Sequence, residues 1–169
     1  LSAKSFAYTG KVQKPTVTVK DSKGNAIDSS YYTVKYSNKS SKSAGSYTVT
    51  VTLKGKYYTG SKTLTYKITK IANTLTVKTK NITVKATAVA KSAKTFARTK
   101  AFTVSKAKGT VTYKKTSGNS KITVASNGKV TVKKGLKAGT YTVKVKVTAA
   151  GTTNYKAKTK TVSFKVIVK

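Results

Sequence analysis

Lysine is the abundant reactive side chain of this protein. The 169 residues hold 36 Lys plus Arg against 2 Asp plus Glu, a formal net charge of +34, and Arg98 is the one arginine. An ammonium group is a hydrated point charge with three donors, without the planar two-point fit that a guanidinium offers to phosphate or carboxylate. The chemistry to expect is therefore multivalent, salt-sensitive attraction to a polyanion, not shape-specific recognition. Lys144 and Lys146 stand two apart in one alternating run, Lys158, Lys160 and Lys165 lie in or before another, and Lys114 closes a third. If these runs are neighbouring strands, the six lysines are expected to share one surface and form a binding patch instead of a pocket.

Few other residues could do chemistry. His, Cys, Met and Trp are absent, and the side-chain carboxylates are Asp21 and Asp28. General acid–base pairs, thiol or Ser-His nucleophiles and zinc or iron sites all need residues missing here. The expectation is a non-enzyme with no metal and no cofactor. Asp21 and Asp28 flank the Gly24-Asn25 turn and read as turn residues, because two acids make a poor calcium cage. A Lys–Asn isopeptide bond needs a buried carboxylate beside it, and residues 73–169 contain none. Tyr31-Tyr32 and Tyr57-Tyr58 are the adjacent aromatics; neighbours on a strand face opposite ways, so one ring of each pair is expected in the core and the other exposed.

These side chains must be carried by strands. Thr16–Lys20, Tyr47–Leu53 and Tyr141–Val147 alternate apolar and polar with period two, the pattern of a strand with one dry and one wet face. Turn residues punctuate the runs, and Asn127-Gly128 between Ile122–Val124 and Val130–Val132 predicts a tight hairpin with positive φ at its turn residues. No helical stripe is persuasive. Short Val-, Thr- and Tyr-rich strands at intervals of about eight to twelve residues indicate an all-β sandwich. The charge does not forbid it. Two exposed lysines about 7 Å apart on a strand repel by roughly 0.6 kcal/mol in water before screening, less than burial of one Val contributes.

Residues 1–71 are Tyr-rich, whereas residues 72–169 are richer in Lys, Ala and Val, so two domains are expected with a boundary near Lys70–Asn73. Both contain a Gly-(Ser/Thr)-Tyr-Thr-Val strand, Gly45–Val49 and Gly139–Val143, followed by a Gly and a Tyr, Gly55 with Tyr57 and Gly151 with Tyr155. One architecture used twice is expected, with the Tyr after each loop turned inward to cap a backbone group.

Tyr8-Thr9-Gly10 with Lys14-Pro15, Tyr32–Asn38, Gly45–Val49 and Gly55–Gly60 resemble an immunoglobulin-like repeat of Gram-positive, especially clostridial, surface proteins. Gly109–Tyr113, Ser126–Val132 and Gly139 through Tyr155 resemble another bacterial immunoglobulin-like domain of the kind found beside secreted glycoside hydrolases and adhesins. The resemblance implies two tandem Ig-like antiparallel β-sandwiches, extracellular at a bacterial cell surface or wall. Members often carry more acids, and their near absence here implies a polyanionic environment or partner.

The reading that follows is a non-catalytic module, monomeric within a larger polypeptide, that binds a teichoic-acid-type wall polymer or acidic polysaccharide through multivalent Lys contacts and anchors its parent protein. The alternatives are a structural spacer of a surface protein or adhesin, without its own ligand, and an adhesin that recognises a host protein. Nucleic acid would be bound only non-specifically, by counterion release, and no run is long and apolar enough to insert in a membrane.

Overall fold

The computed structural model describes residues 1–169, and the chain divides into two compact units, Leu1–Ile71 and Ala72–Lys169. The first holds strands β1 (Ser5–Ala7), β2 (Tyr32–Tyr36), β3 (Gly45–Leu53) and β4 (Ser61–Thr69). They form one sheet in the order β1-β4-β3-β2, with β1 parallel to β4 and the other pairs antiparallel. Alternation in β3 and β4 turns Val49, Val51, Tyr66 and Ile68 inward, where they are buried. Tyr66 is the hub: its ring lies 5.6 Å from Tyr47, 6.2 Å from Phe6 and 6.3 Å from Tyr36. Its hydroxyl donates to the Ser41 hydroxyl (2.9 Å), which passes a hydrogen bond to the Gln13 backbone carbonyl (2.8 Å), so both buried hydroxyls are satisfied.

The other side of this core is irregular. Thr16–Lys20, expected as a strand, joins no ladder and makes one isolated bridge, Lys20 to Ala26. Pro15, Val17 and Val19 do turn toward the sheet, so the alternation reports the dry face correctly. A ladder also needs a continuous partner, and this segment meets only single residues: Thr16 accepts from the Ser2 amide and Val19 from the Ile27 amide.

The second unit comprises β5 (Thr76–Thr79), β6 (Ile82–Val84), α1 (Ala86–Lys91), β7 (Lys94–Phe96), α2 (Arg98–Ala101), β8 (Phe102–Ser105), β9 (Val111–Ser117), β10 (Ile122–Val124), β11 (Val130–Val132), β12 (Gly139–Ala149) and β13 (Lys158–Val168). Its main sheet runs β6-β13-β12-β9, and β10-β11-β7 and β5-β8 supply the remaining ladders. One core joins them, including Val143, Val145, Phe164 and Val166 of the main sheet, Val130 and Val132 of β11, and Phe102 of β8, whose ring lies 5.3 Å from Phe164. This is a sandwich. The two helices were not foreseen, and at six and four residues they are too short to write a helical stripe in the sequence.

The Asn127-Gly128 hairpin pairs Ile122 with Val132 and Val124 with Val130. Only Gly128 takes positive φ (+84°), where two positive-φ residues were expected. The Gly128 amide closes a turn onto the Ala125 carbonyl at 2.8 Å, and the Ala125 amide bonds the Lys129 carbonyl at 2.9 Å, so a longer loop replaces the two-residue turn.

Candidate functional site

The main sheet of the second unit carries the lysines. Directly paired residues share a face, so the ladders decide the patch. Lys146 pairs with Lys114 across β12 and β9, while across β12 and β13 Lys144 pairs with Ser163, Lys146 with Thr161 and Thr142 with Lys165. Lys114, Lys144, Lys146 and Lys165 therefore stand on one outward face, all exposed. In such a sheet opposing Cβ atoms lie about 5 Å apart and same-face residues along a strand about 7 Å apart.

Lys158 and Lys160 do not belong to that face. They pair with Ala149 and Val147, both buried, and so share the inward phase of Val162 and Phe164. Their ammonium groups reach solvent only because they sit at the start of β13: Lys160 is exposed and Lys158 half-buried. The expected patch of six is a face of four. Lys115 is also inward-phase, opposite Val145, and its ammonium donates to the carbonyls of Asn119 and, at 2.6 Å, Ile122. Burial, and secondarily the Lys133 charge, holds its pKa below the ordinary lysine value.

Threonine fills the rest of the outward face, a feature the charge-based reading passed over. Thr112, Thr140, Thr142, Thr148, Thr159 and Thr161 are all in the lysine phase, and the Thr148 and Thr159 hydroxyls bond each other at 3.1 Å. The sequence signal was Thr at even spacing from Lys, as in Thr142-Val-Lys144-Val-Lys146. Hydroxyls beside ammonium groups give additional donors to phosphate or carboxylate oxygens. The unit contains no Asp or Glu to oppose such a ligand.

The two aspartates are turn elements. Asp21 accepts from the amides of Lys23 (2.9 Å) and Asn25 (2.8 Å) and from the Asn25 side chain (3.1 Å), and Asp28 accepts from the Ser30 amide (2.8 Å). Hydrogen bonds from Asn25 hold Asp21, and those from Ser30 hold Asp28, below the ordinary 3.8.

The tyrosines depart from expectation. Tyr31 is 44% and Tyr57 82% exposed, and neither Tyr32 nor Tyr58 reaches the core. Tyr31 instead meets Tyr58 edge-on at 5.4 Å, because the loop after β3 folds back over the turn before β2. Tyr57 points outward and does not cap, and Tyr155 is half-buried beneath the Lys108 ammonium, 5.6 Å from its ring. The tyrosine inside the repeated motif caps a backbone carbonyl in both units. The Tyr47 hydroxyl donates to the Ser43 carbonyl (2.7 Å) and the Tyr141 hydroxyl to the Lys137 carbonyl (2.9 Å). In both, the ring lies back over the glycine that opens the strand, its hydroxyl in van der Waals contact with the space a Cβ would take.

The units thus share this corner and a similar sheet plan, in which an early strand, β1 in the first and β6 in the second, runs parallel to the last strand and the last strand runs antiparallel to the penultimate one. With the sandwich core of the second unit this gives a nearly all-β chain of immunoglobulin-like plan. No family model and no curated protein sequence matches it. Among solved structures it is similar to the extracellular cadherin domains 1–5 of protocadherin gamma B2 (12% identity, TM-score 0.42, 82% of this chain and 31% of that one). It is also similar to mouse protocadherin-24 EC1–3 (11%, TM-score 0.42, 99% and 62%) and chicken VE-cadherin EC1–2 (12%, TM-score 0.40, 99% and 98%). The chain spans less than two thirds of the length of the first two. No helix is long and apolar enough to cross a membrane.

Proposed function

We propose that this chain is a non-catalytic, extracellular module of a larger bacterial surface protein, built as two immunoglobulin-like domains in tandem, that holds its parent against an anionic polymer. The observation that carries this reading is the outward face of Lys114, Lys144, Lys146 and Lys165, interleaved with threonine hydroxyls in a unit without one acidic side chain. Repeating phosphates or carboxylates would engage several ammonium groups at once, and many weak contacts then add to a useful avidity. A teichoic-acid-type wall polymer fits best, with acidic polysaccharide the related case.

The test is retention on purified Gram-positive cell walls, with and without teichoic acid extraction, at about 0.15 M and about 1 M salt, where the Debye length falls from about 8 Å to about 3 Å. Retention lost on extraction, at high salt and in the Lys114/Lys144/Lys146/Lys165→Gln variant supports the reading. No retention on intact walls at the lower salt leaves a spacer.

A further inference from the structure

The first unit has an unfilled end, an observation independent of the lysine face. Around Tyr66 and Ile68 its sheet is sealed, with 0% and 2% exposure. At the other end Val34, in the inward phase opposite Val51, remains 37% exposed, and Leu53 and Leu64 are only half-buried. Protein cores ordinarily leave few voids larger than a water molecule. Here the irregular Val17–Lys20 segment stands off the sheet and leaves a half-open cavity of about 490 Å³. That volume lies within the range of small-molecule sites.

The lining selects a ligand class. Val17, Val19, Val51, Leu53 and Leu64 make aliphatic walls, with no aromatic ring on which a sugar or base could stack. Of the hydroxyls, that of Ser61 is already engaged by the Val51 carbonyl and Thr52. The lining lysines are Lys20 and Lys62, both exposed, the latter on the inward phase opposite Val51. Long lysine stems lie along apolar walls and keep the charge at the water boundary. Asp21, next to Lys20, has both carboxylate oxygens engaged in its own turn. A chain in the cavity with a negative head at its rim satisfies both features.

We propose that this cavity binds a single-chain amphiphilic anion, its aliphatic chain between the Val17–Lys20 segment and β3 and β4, its head between Lys20 and Lys62. The test uses the full chain and sodium dodecanoate below its micelle concentration, followed by calorimetry at about 0.15 M salt, a strength that damps binding by charge alone. One saturable site is expected, with butanoate at least about 30-fold weaker, since it shares the head but lacks most of the buried chain. Leu64→Trp, which fills the cavity, abolishes the site; Val17→Phe does so from the opposite wall should the first variant fail to melt cooperatively. Lys20→Gln with Lys62→Gln weakens dodecanoate about three- to tenfold. The Lys114/Lys144/Lys146/Lys165→Gln variant binds dodecanoate unchanged, which separates this site from the polymer-binding face. Equal affinity for dodecanoate and butanoate, non-saturating uptake, or full binding in both cavity-filling variants would overturn the proposal.

Discussion

At the scale of single residues, the side chains that fix this structure are tyrosine hydroxyls and two aspartates. Tyr47 and Tyr141 reach back four residues to a carbonyl in the loop before their strands, so each ties a loop to a sheet. Tyr47→Phe and Tyr141→Phe should each lower stability in urea unfolding by about 0.5–1.5 kcal/mol, the net worth of one hydrogen bond, without changing retention on cell walls. Asp21 and Asp28 set the acid limit. Because hydrogen bonds hold both below 3.8 in the folded chain, their contribution is complete above the unfolded value and is lost as pH falls through the folded values. Melting temperature should therefore fall only below about pH 4, the carboxylate range, and Asp21→Asn with Asp28→Asn should flatten that fall. An undiminished acid limb in the double variant would assign it elsewhere.

At the scale of elements, the face of β9, β12 and β13 pairs lysine with lysine. Lys114 directly opposes Lys146, an arrangement that works against the ladder. Lys146→Glu turns it into an attractive cross-strand pair. Thermal unfolding should then show a gain of about 0.2–1 kcal/mol, while retention on anionic polymer falls. A face shaped for stability alone would gain in stability and lose nothing in binding. The sequence already held the phase of each lysine: Lys158 and Lys160 are spaced evenly from Val162, so period-two arithmetic puts them inward, whereas Lys144 and Lys146 alternate with valines and stand outward. Thr16–Lys20 shows the opposite limit, because alternation records which side is dry but not whether a partner strand lies alongside.

At the scale of the whole molecule, the net charge of +34 makes self-repulsion a standing cost of the compact state. Raising salt from about 0.01 M to about 1 M shortens the Debye length from about 30 Å to about 3 Å and should raise the melting temperature by several degrees. A fall across that range would mean that attractive pairs, not repulsion, dominate the surface. In the proposed attachment, the same charge density that strains the fold is what a repeating polyanion would meet.

What the sequence by itself determined is what depends on residue type and local period: an all-β chain, the outward phase of Lys114, Lys144, Lys146 and Lys165, the β10–β11 hairpin, and turn roles for Asp21 and Asp28. Only the tertiary structure decided that Tyr47 and Tyr141 cap, how Tyr31 meets Tyr58, and that the Val17–Lys20 segment borders a half-open cavity instead of completing a ladder. Those outcomes depend on residues far apart in the chain arriving at one place. Alternation sets the direction of a side chain, but the distance to whatever it faces is fixed by the packing of the fold.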